Sequence, residues 1–358
     1  MLKILVEEDR ILRLMQVLLD PSCSAERVAA SADFNSTDQP DFQGWLESTR
    51  ATLSALYPAQ IVLFTTAEEM HLHLPDTDIL IVESATVGPH ELGLAKRLKV
   101  VQNFGQLHFN IDTTACAAQG IEVFTLRRRT NIAMAEHTMT LLLGMAKRMP
   151  LISGLVTTKR LAAAGFPVRP YDKRHTAGAN FGRIPQLKTV SGMRLGLLGL
   201  GEIGYEVAPL ANAFGMQVSY HKRSRLPETL EESLRLQYLS LEKLFSENDF
   251  VSIHIPFNEE TTGLVNQKLL ELMPFGSFLI NTSRSQIVNE NDLIEALKAG
   301  RLAGVGLDVM RQEPAAEDDP LLQFSEVLVT PHLGGASRMN GLNDAQEMLL
   351  QIQQYLIQ

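Results

Sequence analysis

"GLLGLGEIGYEVA", residues 196–208, is the stretch whose reading decides the fold. It carries Gly199, Gly201 and Gly204 as G-x-G-x-x-G, directly after the apolar run "RLGLLG" and directly before a helical pattern. Gly199 permits a tight turn, Gly201 lets backbone approach a pyrophosphate, and Gly204 lets helix and strand pack closely. The helix start, near Glu202 and Ile203, then offers free N–H groups to phosphate charge. Alone, such a fingerprint can be only a packing turn. Its position between strand and helix makes it a dinucleotide site.

Working outward, candidate strands at 194–198, 216–220, 249–253, 277–281, 303–308 and 326–330 alternate with helix-length segments, the pattern of a doubly wound nucleotide-binding sheet. Toward the N-terminus, the apolar runs "KILV" (3–6), "QIVLF" (60–64), "DILIV" (78–82) and "LKVVQNF" (98–104) read as β-α units around a smaller parallel sheet. The polar stretch "FNSTDQPDFQG" (34–44) reads as a surface insertion. Residues 131–149 are apolar nearly all round, which predicts a buried helix. From Pro150 to Gly192 the chain is rich in Gly, Pro and basic residues without a sustained period, and reads as a long connecting loop. The last segment, "LNDAQEMLLQIQQYLIQ", reads as a helix returning to the first domain. At 358 residues the chain is long enough for two α/β domains with separate cores.

Composition narrows the function. With 45% hydrophobic and 20% charged residues and no low-complexity tract, the chain is that of a soluble globular protein. A formal net charge of −9 argues against general affinity for nucleic acid or an anionic membrane surface. Cys23 and Cys116 lack the spacing of a metal or redox pair, so no metal site is expected and a reducing compartment fits. The start "MLKILVEEDR" has no apolar core after a basic segment, and no run of about 18 apolar residues occurs. The expectation is a cytoplasmic protein with no membrane segment.

About 20 residues beyond the fingerprint, an NAD-preferring fold ends its second strand in Asp or Glu, which accepts hydrogen bonds from the ribose hydroxyls. Here the strand runs into "SYHKRSR", residues 219–225. No carboxylate is present to repel a 2′-phosphate. Arg223 and Arg225 can make charge-assisted bonds to one, and Ser224 adds a hydroxyl. Lys222 and His221 read as solvated. The expected cofactor is NADP, with NAD as the alternative.

Three later strand ends carry ionisable residues: Arg284 after "SFLIN", Asp308 and Glu313 in "GVGLDVMRQEP", and His332 in "EVLVTPHLGGAS". In open α/β sheets the ligand crevice lies outside the carboxyl ends of the strands, so these residues can converge there. The residue types suit hydride transfer between a nicotinamide and a 2-hydroxy or 2-keto acid. Arg284 would bind the substrate carboxylate and polarise the carbonyl. His332 would exchange a proton with the carbonyl oxygen, and Glu313 would orient the imidazole and stabilise its protonated form. Asp308 would sit near the nicotinamide carboxamide.

With these motifs in hand, the chain from about residue 98 to 358 resembles the D-isomer-specific 2-hydroxyacid dehydrogenases. "GLLGLGEIG", "SIHIPFNEETTGLVN", "INTSRSQIVNENDL", "GVGLDVMRQEP" and "TPHLGGAS" occur in that family's order and spacing. The resemblance implies a catalytic set of Arg284, Glu313 and His332. It implies cofactor contacts at Glu202, Ile203, Pro256, Thr261, Thr282, Asp308 and Gly335. It further implies a flavodoxin-like substrate domain, 1–126 completed by 336–358, and a Rossmann-type cofactor domain, 127–335. A homodimer built largely through the cofactor domain would involve the helix near Glu136 and His137, with His137 structural. A basic R-S-R of this kind accompanies NADP-preferring glyoxylate and hydroxypyruvate reductases.

The chain also departs from the family's pattern. The substrate loop reads "GQLHFNID" from Gly105, so backbone N–H groups at Gly105, Gln106 and Leu107 can still hold a carboxylate, while the side chains alter the pocket. Arg284-Ser285 and Val288-Asn289-Glu290 replace the usual Arg-Gly and Val-Asp-Glu. The leading expectation is therefore a reductase of small 2-keto acids such as glyoxylate or hydroxypyruvate. Alternatives are a phosphoglycerate-dehydrogenase-like enzyme or a formate dehydrogenase, in which Gln would pair with the histidine. A nucleotide-sensing binding protein like the C-terminal-binding-protein corepressors is the rival from another class.

Overall fold

The computed structural model describes residues 1–172, 174–175 and 178–358; Lys173, Thr176 and Ala177, part of the expected connector, lie outside the described residues. Contacts divide the chain into two units, Met1–Ala133 with Gly335–Gln358, and Met134–Gly334.

In the first unit, β1 (Leu2–Glu7), β2 (Ala59–Phe64), β3 (Ile79–Val82), β4 (Val100–Asn103) and β5 (Glu122–Phe124) form a parallel sheet in the order β2-β1-β3-β4-β5. This is the flavodoxin-like order. Successive residues of each strand serve opposite faces. Ile4, Val6, Ile79, Ile81 and Val100 join one core with helices Leu14–Leu19, Phe42–Thr52 and Met339–Leu356. Leu5, Leu80, Val82 and Val101 join another with Met70, Leu92 and Cys116. A parallel sheet covered on both faces needs apolar residues at every strand position, which is why these runs read as continuous. The supposed insertion at 34–44 is instead the junction of two helices. Asp41 caps the second by accepting from the Gly44 amide at 2.9 Å, and Phe42 is buried in the core.

The second unit holds β6 (Arg194–Leu198), β7 (Gln217–His221), β8 (Leu236–Tyr238), β9 (Phe250–Ile253), β10 (Ser277–Asn281), β11 (Leu302–Leu307) and β12 (Val327–Val329). All pair in parallel, in the order β12-β11-β10-β9-β6-β7-β8. Counted from β6, this is the 3-2-1-4-5-6 order of a Rossmann fold with one further edge strand, and the order reverses at β6. The sequence reading missed β8, a three-residue edge strand. Helix Arg129–Ala146 supplies Ala135, Met139, Leu141, Leu142 and Met145 to the core beside Leu195, Leu197 and Phe278. The connector is not wholly irregular: it includes helix Thr158–Ala163, seated by the buried Leu161. Among the described residues no helix is long and apolar enough to cross a membrane.

Candidate functional site

Because the second sheet is parallel throughout, the loops after β6, β7, β9, β10, β11 and β12 all leave its carboxyl edge. The first is the glycine turn. Gly199 has φ +99°, and a Cβ there would lie 2.4 Å from the His254 carbonyl oxygen. A Cβ on Gly204 would lie 2.8 Å from Gly199 O, so strand and helix approach to backbone contact. Gly201 differs: a Cβ there would meet nothing within 4 Å. It begins helix Glu202–Ala213, which has no side-chain cap among the described residues. A turn closed by its own backbone, with open space over Gly201 and an uncapped 12-residue helix behind it, fits the pyrophosphate of a dinucleotide. After β9, Thr261 donates from Oγ1 to Pro256 O at 2.8 Å, and Asn258 accepts from its amide at 3.0 Å. Thr282, past β10, is buried with its hydroxyl 3.2 Å from that of Thr138.

The basic stretch after β7 divides sharply. Arg223 is 90% exposed, and its Nη1 stands 3.7 Å from Glu260 Oε2. Ser224 is exposed beside it. Arg225 donates from Nε and Nη2 to the two oxygens of Glu231 at 2.9 and 2.7 Å, and its guanidinium lies over the Tyr238 ring. Glu231 also accepts from the Tyr220 hydroxyl at 2.6 Å. Burial, reinforced by Glu231, pushes the Tyr220 hydroxyl up to about 12. One face of the Arg225 fork is thus occupied by the fold, a tie the sequence reading did not foresee. Nor are His221 and Lys222 simply solvated. His221 Nδ1 contacts Leu239 O at 2.9 Å, and burial pulls the Lys222 ammonium down.

The acid–base candidates follow the last three strands. Arg284 is exposed past β10, with Nη1 donating to Ser283 O at 2.7 Å. Asn281 fixes its loop, donating to Arg284 O at 2.9 Å and accepting from the Ser283 amide at 3.0 Å. Glu313, past β11, accepts from the Met310 amide at 3.0 Å through Oε1 and meets His332 Nδ1 at 2.8 Å through Oε2. Burial works against ionisation of Glu313. The bonds from His332 and the Met310 amide, with the charge of Arg284, outweigh it and hold the carboxyl below the usual range. With Nδ1 engaged, His332 has Nε2 left for a reacting group.

His332 adopts φ 55°, in the left-handed region. Asp308 braces the following residues: the Leu333 amide donates to Oδ1 at 2.8 Å and the Gly334 amide to Oδ2 at 2.7 Å. Thr330 Oγ1 adds a bond to Oδ1 at 2.6 Å, and His137 Nε2 lies 2.9 Å from Thr330 Oγ1 and 3.2 Å from Asp308. Asp308 is fully buried, so its carboxylate serves the histidine's loop before any ligand is considered. The sequence places Asp308 at this strand end but gives no sign of Asn281, Thr330 or Glu231 as supports of the site.

Arg284, Glu313 and His332 therefore lie at one sheet edge with the glycine turn. The expected substrate residues belong to the first unit, in the loop after β4. Asn103 Nδ2 donates to Gly105 O at 3.0 Å and Leu107 O at 3.1 Å, and the Leu126 amide donates to Gly105 O at 2.9 Å, fixing the backbone around Gln106. Gly335 also falls in the first unit.

A family model described as "D-isomer specific 2-hydroxyacid dehydrogenase, NAD binding domain" matches residues 161–334. Among curated relatives, a glyoxylate reductase of Korarchaeum cryptofilum is 35% identical over 245 residues, 68% of each chain. A hydroxypyruvate reductase of Thermotoga maritima is 31% identical over 273 residues, 75% of this chain and 82% of that one. The solved formate dehydrogenase from Granulicella M. is 26% identical, with a TM-score of 0.52 over 86% of this chain and 80% of that one. The chain thus belongs to the D-isomer-specific 2-hydroxyacid dehydrogenases, oxidoreductases that act on the CH–OH group of 2-hydroxyacids.

Proposed function

We propose that the chain works mainly as an NADP-preferring reductase of small 2-keto acids of the glyoxylate and hydroxypyruvate kind. The observation that carries this reading is the 2.8 Å His332–Glu313 pair at the sheet edge from which Arg284 also projects. The names of the glyoxylate and hydroxypyruvate reductases among the relatives support the substrate class.

Arg284 grips the substrate carboxylate and polarises the adjacent carbonyl, a task suited to a planar fork of donors. The nicotinamide cofactor, when bound, supplies the hydride for reduction. His332 donates the Nε2 proton to the carbonyl oxygen, and Glu313 keeps Nδ1–H oriented and stabilises the charged imidazole. In oxidation the same nitrogen takes the proton back. Asn281 and Asp308 act as positioning residues, one for the Arg284 loop and one for the His332 loop.

Gly199, Gly201 and Gly204 with the amides near Glu202 and Ile203 receive the pyrophosphate. Arg223 and Ser224 carry the 2′-phosphate, and Arg225 contributes the edge that Glu231 does not hold. Pro256, Thr261, Thr282 and Gly335 complete the cofactor contacts, and Gly105, Gln106 and Leu107 offer backbone N–H groups to the substrate. By the same proposal the first unit is the substrate domain, the second the cofactor domain, and the protein a cytoplasmic homodimer with the exposed Glu136 at its interface.

Steady-state kinetics over a panel of small 2-keto acids, with NADPH and NADH, tests the reading. The expected result is the highest kcat/KM for glyoxylate or hydroxypyruvate with NADPH. Oxidation of neither cofactor with any acid would overturn it, and turnover of formate alone would redirect it. A monomer by light scattering would refute the dimer.

A further inference from the structure

We propose that His71, His90 and Glu91 form a binding site for a divalent transition metal ion of the zinc class, in the first unit and separate from the residues argued above to do chemistry. Helix Ala67–His73 presents His71, and helix Pro89–Leu94 presents His90 and Glu91. Glu91 Oε1 stands 3.0 Å from His71 Nε2 and 3.1 Å from His90 Nδ1. The two imidazoles meet edge to face with centroids 4.9 Å apart, and one ligand atom from each of the three residues lies within 4.8 Å of the others. In a tetrahedral zinc site with bonds of 2.0–2.1 Å, ligand atoms lie about 3.3 Å apart. Two of the three edges are already near that length, and a small side-chain rotation closes the third.

The donor chemistry agrees. Two neutral imidazoles and a carboxylate make a three-ligand set that zinc accepts while keeping a fourth position for water. Glu91 is also built into place. Its Oε2 accepts from the Gly88 amide at 2.9 Å, so one oxygen ties the carboxylate to the helix start while the other is aimed between the imidazoles. Such outer-shell anchoring orients metal ligands. Glu68 adds a second negative charge near His71. Side-chain exposures of 30% for His71, 69% for His90 and 13% for Glu91 leave the site open to an ion from solvent. The sequence offered no cue, since His71 and Glu91 are 20 positions apart.

An ion held there would clip together two helices whose Met70 and Leu92 share one core. It would stabilise the folded state by mass action. The test uses the full-length, tag-free protein, stripped with chelator and titrated with Zn²⁺ by calorimetry while the unfolding midpoint is followed. The expected result is saturable binding of one ion per chain and a midpoint that rises with zinc. His90→Ala should weaken zinc binding by about tenfold or more and remove that rise. His71→Ala should do the same, and His73→Ala should change neither. No saturable binding, or binding and stabilisation that survive both His90→Ala and His71→Ala, would overturn the proposal.

Discussion

Replacing Glu313 by Gln isolates one charge. The amide retains an oxygen for the imidazole Nδ1–H, so the 2.8 Å contact can persist while the negative charge is lost. At that separation two unit charges attract by about 1.5 kcal/mol in bulk water and by about 6 kcal/mol at the effective dielectric of a protein surface. The His332 and Glu313 side chains are 48% and 40% exposed, so solvent screening keeps the value near the lower bound. A working value of about 2 kcal/mol corresponds to roughly thirtyfold in rate. The charged imidazole is the proton donor in reduction, and the amide no longer offers it a counter-charge. At neutral pH, kcat/KM for keto-acid reduction should therefore fall roughly thirtyfold. With cofactor affinities unchanged, detailed balance makes kcat/KM for hydroxyacid oxidation fall by the same factor at the same pH. Steady-state rates in both directions across pH decide the matter. Reduction within about twofold of wild type would refute the assignment of Glu313 as the partner that stabilises the acid.

Other perturbations separate the remaining roles. His332→Ala should abolish turnover in both directions while fluorescence titration still detects NADPH binding; retained turnover would remove His332 from proton transfer. Arg284→Lys should lower kcat/KM by about a hundredfold because an ammonium cannot reproduce the fork, and near-normal kinetics would count against the carboxylate clamp. Arg223→Asp removes a charge-assisted contact of about 1.5 kcal/mol and adds repulsion, so the NADPH to NADH ratio of kcat/KM should drop by more than about tenfold. An unmoved ratio would make Arg223 surface charge only. Gly199→Ala forces a Cβ into the His254 carbonyl at positive φ and should cost about 2 kcal/mol or more of stability. An unchanged urea midpoint would contradict the turn geometry.

What could be read in advance was local. The glycine turn declares itself within six residues, and Arg284 and Asp308 follow apolar strands closely enough to be assigned to the sheet edge. The strands that escaped, β5 and β8, are three residues long, too short to show a period. The supports of the site were hidden for a different reason. Asp308 meets Thr330, Leu333 and Gly334 across 22 to 26 residues, a pairing that only the adjacency of β11 and β12 creates. The tie that holds one side of Arg225 was hidden because a basic run shows charge but not its partner within the fold. That partner, Glu231, lies six residues on, in an acid-rich helix.

The left-handed backbone at His332 restricts what evolution can put there. A proton donor at this position must ionise near neutral pH and also tolerate φ near 55°. Lysine, tyrosine and glutamate can be tuned to carry protons but gain nothing from that backbone, and asparagine suits the backbone but holds no exchangeable charge. Histidine is among the few residues enriched at positive φ, and it alone of them titrates near neutrality without perturbation. Conformation and chemistry thus select the same side chain independently, and a replacement that satisfied only one of them would leave the loop or the reaction without its other requirement.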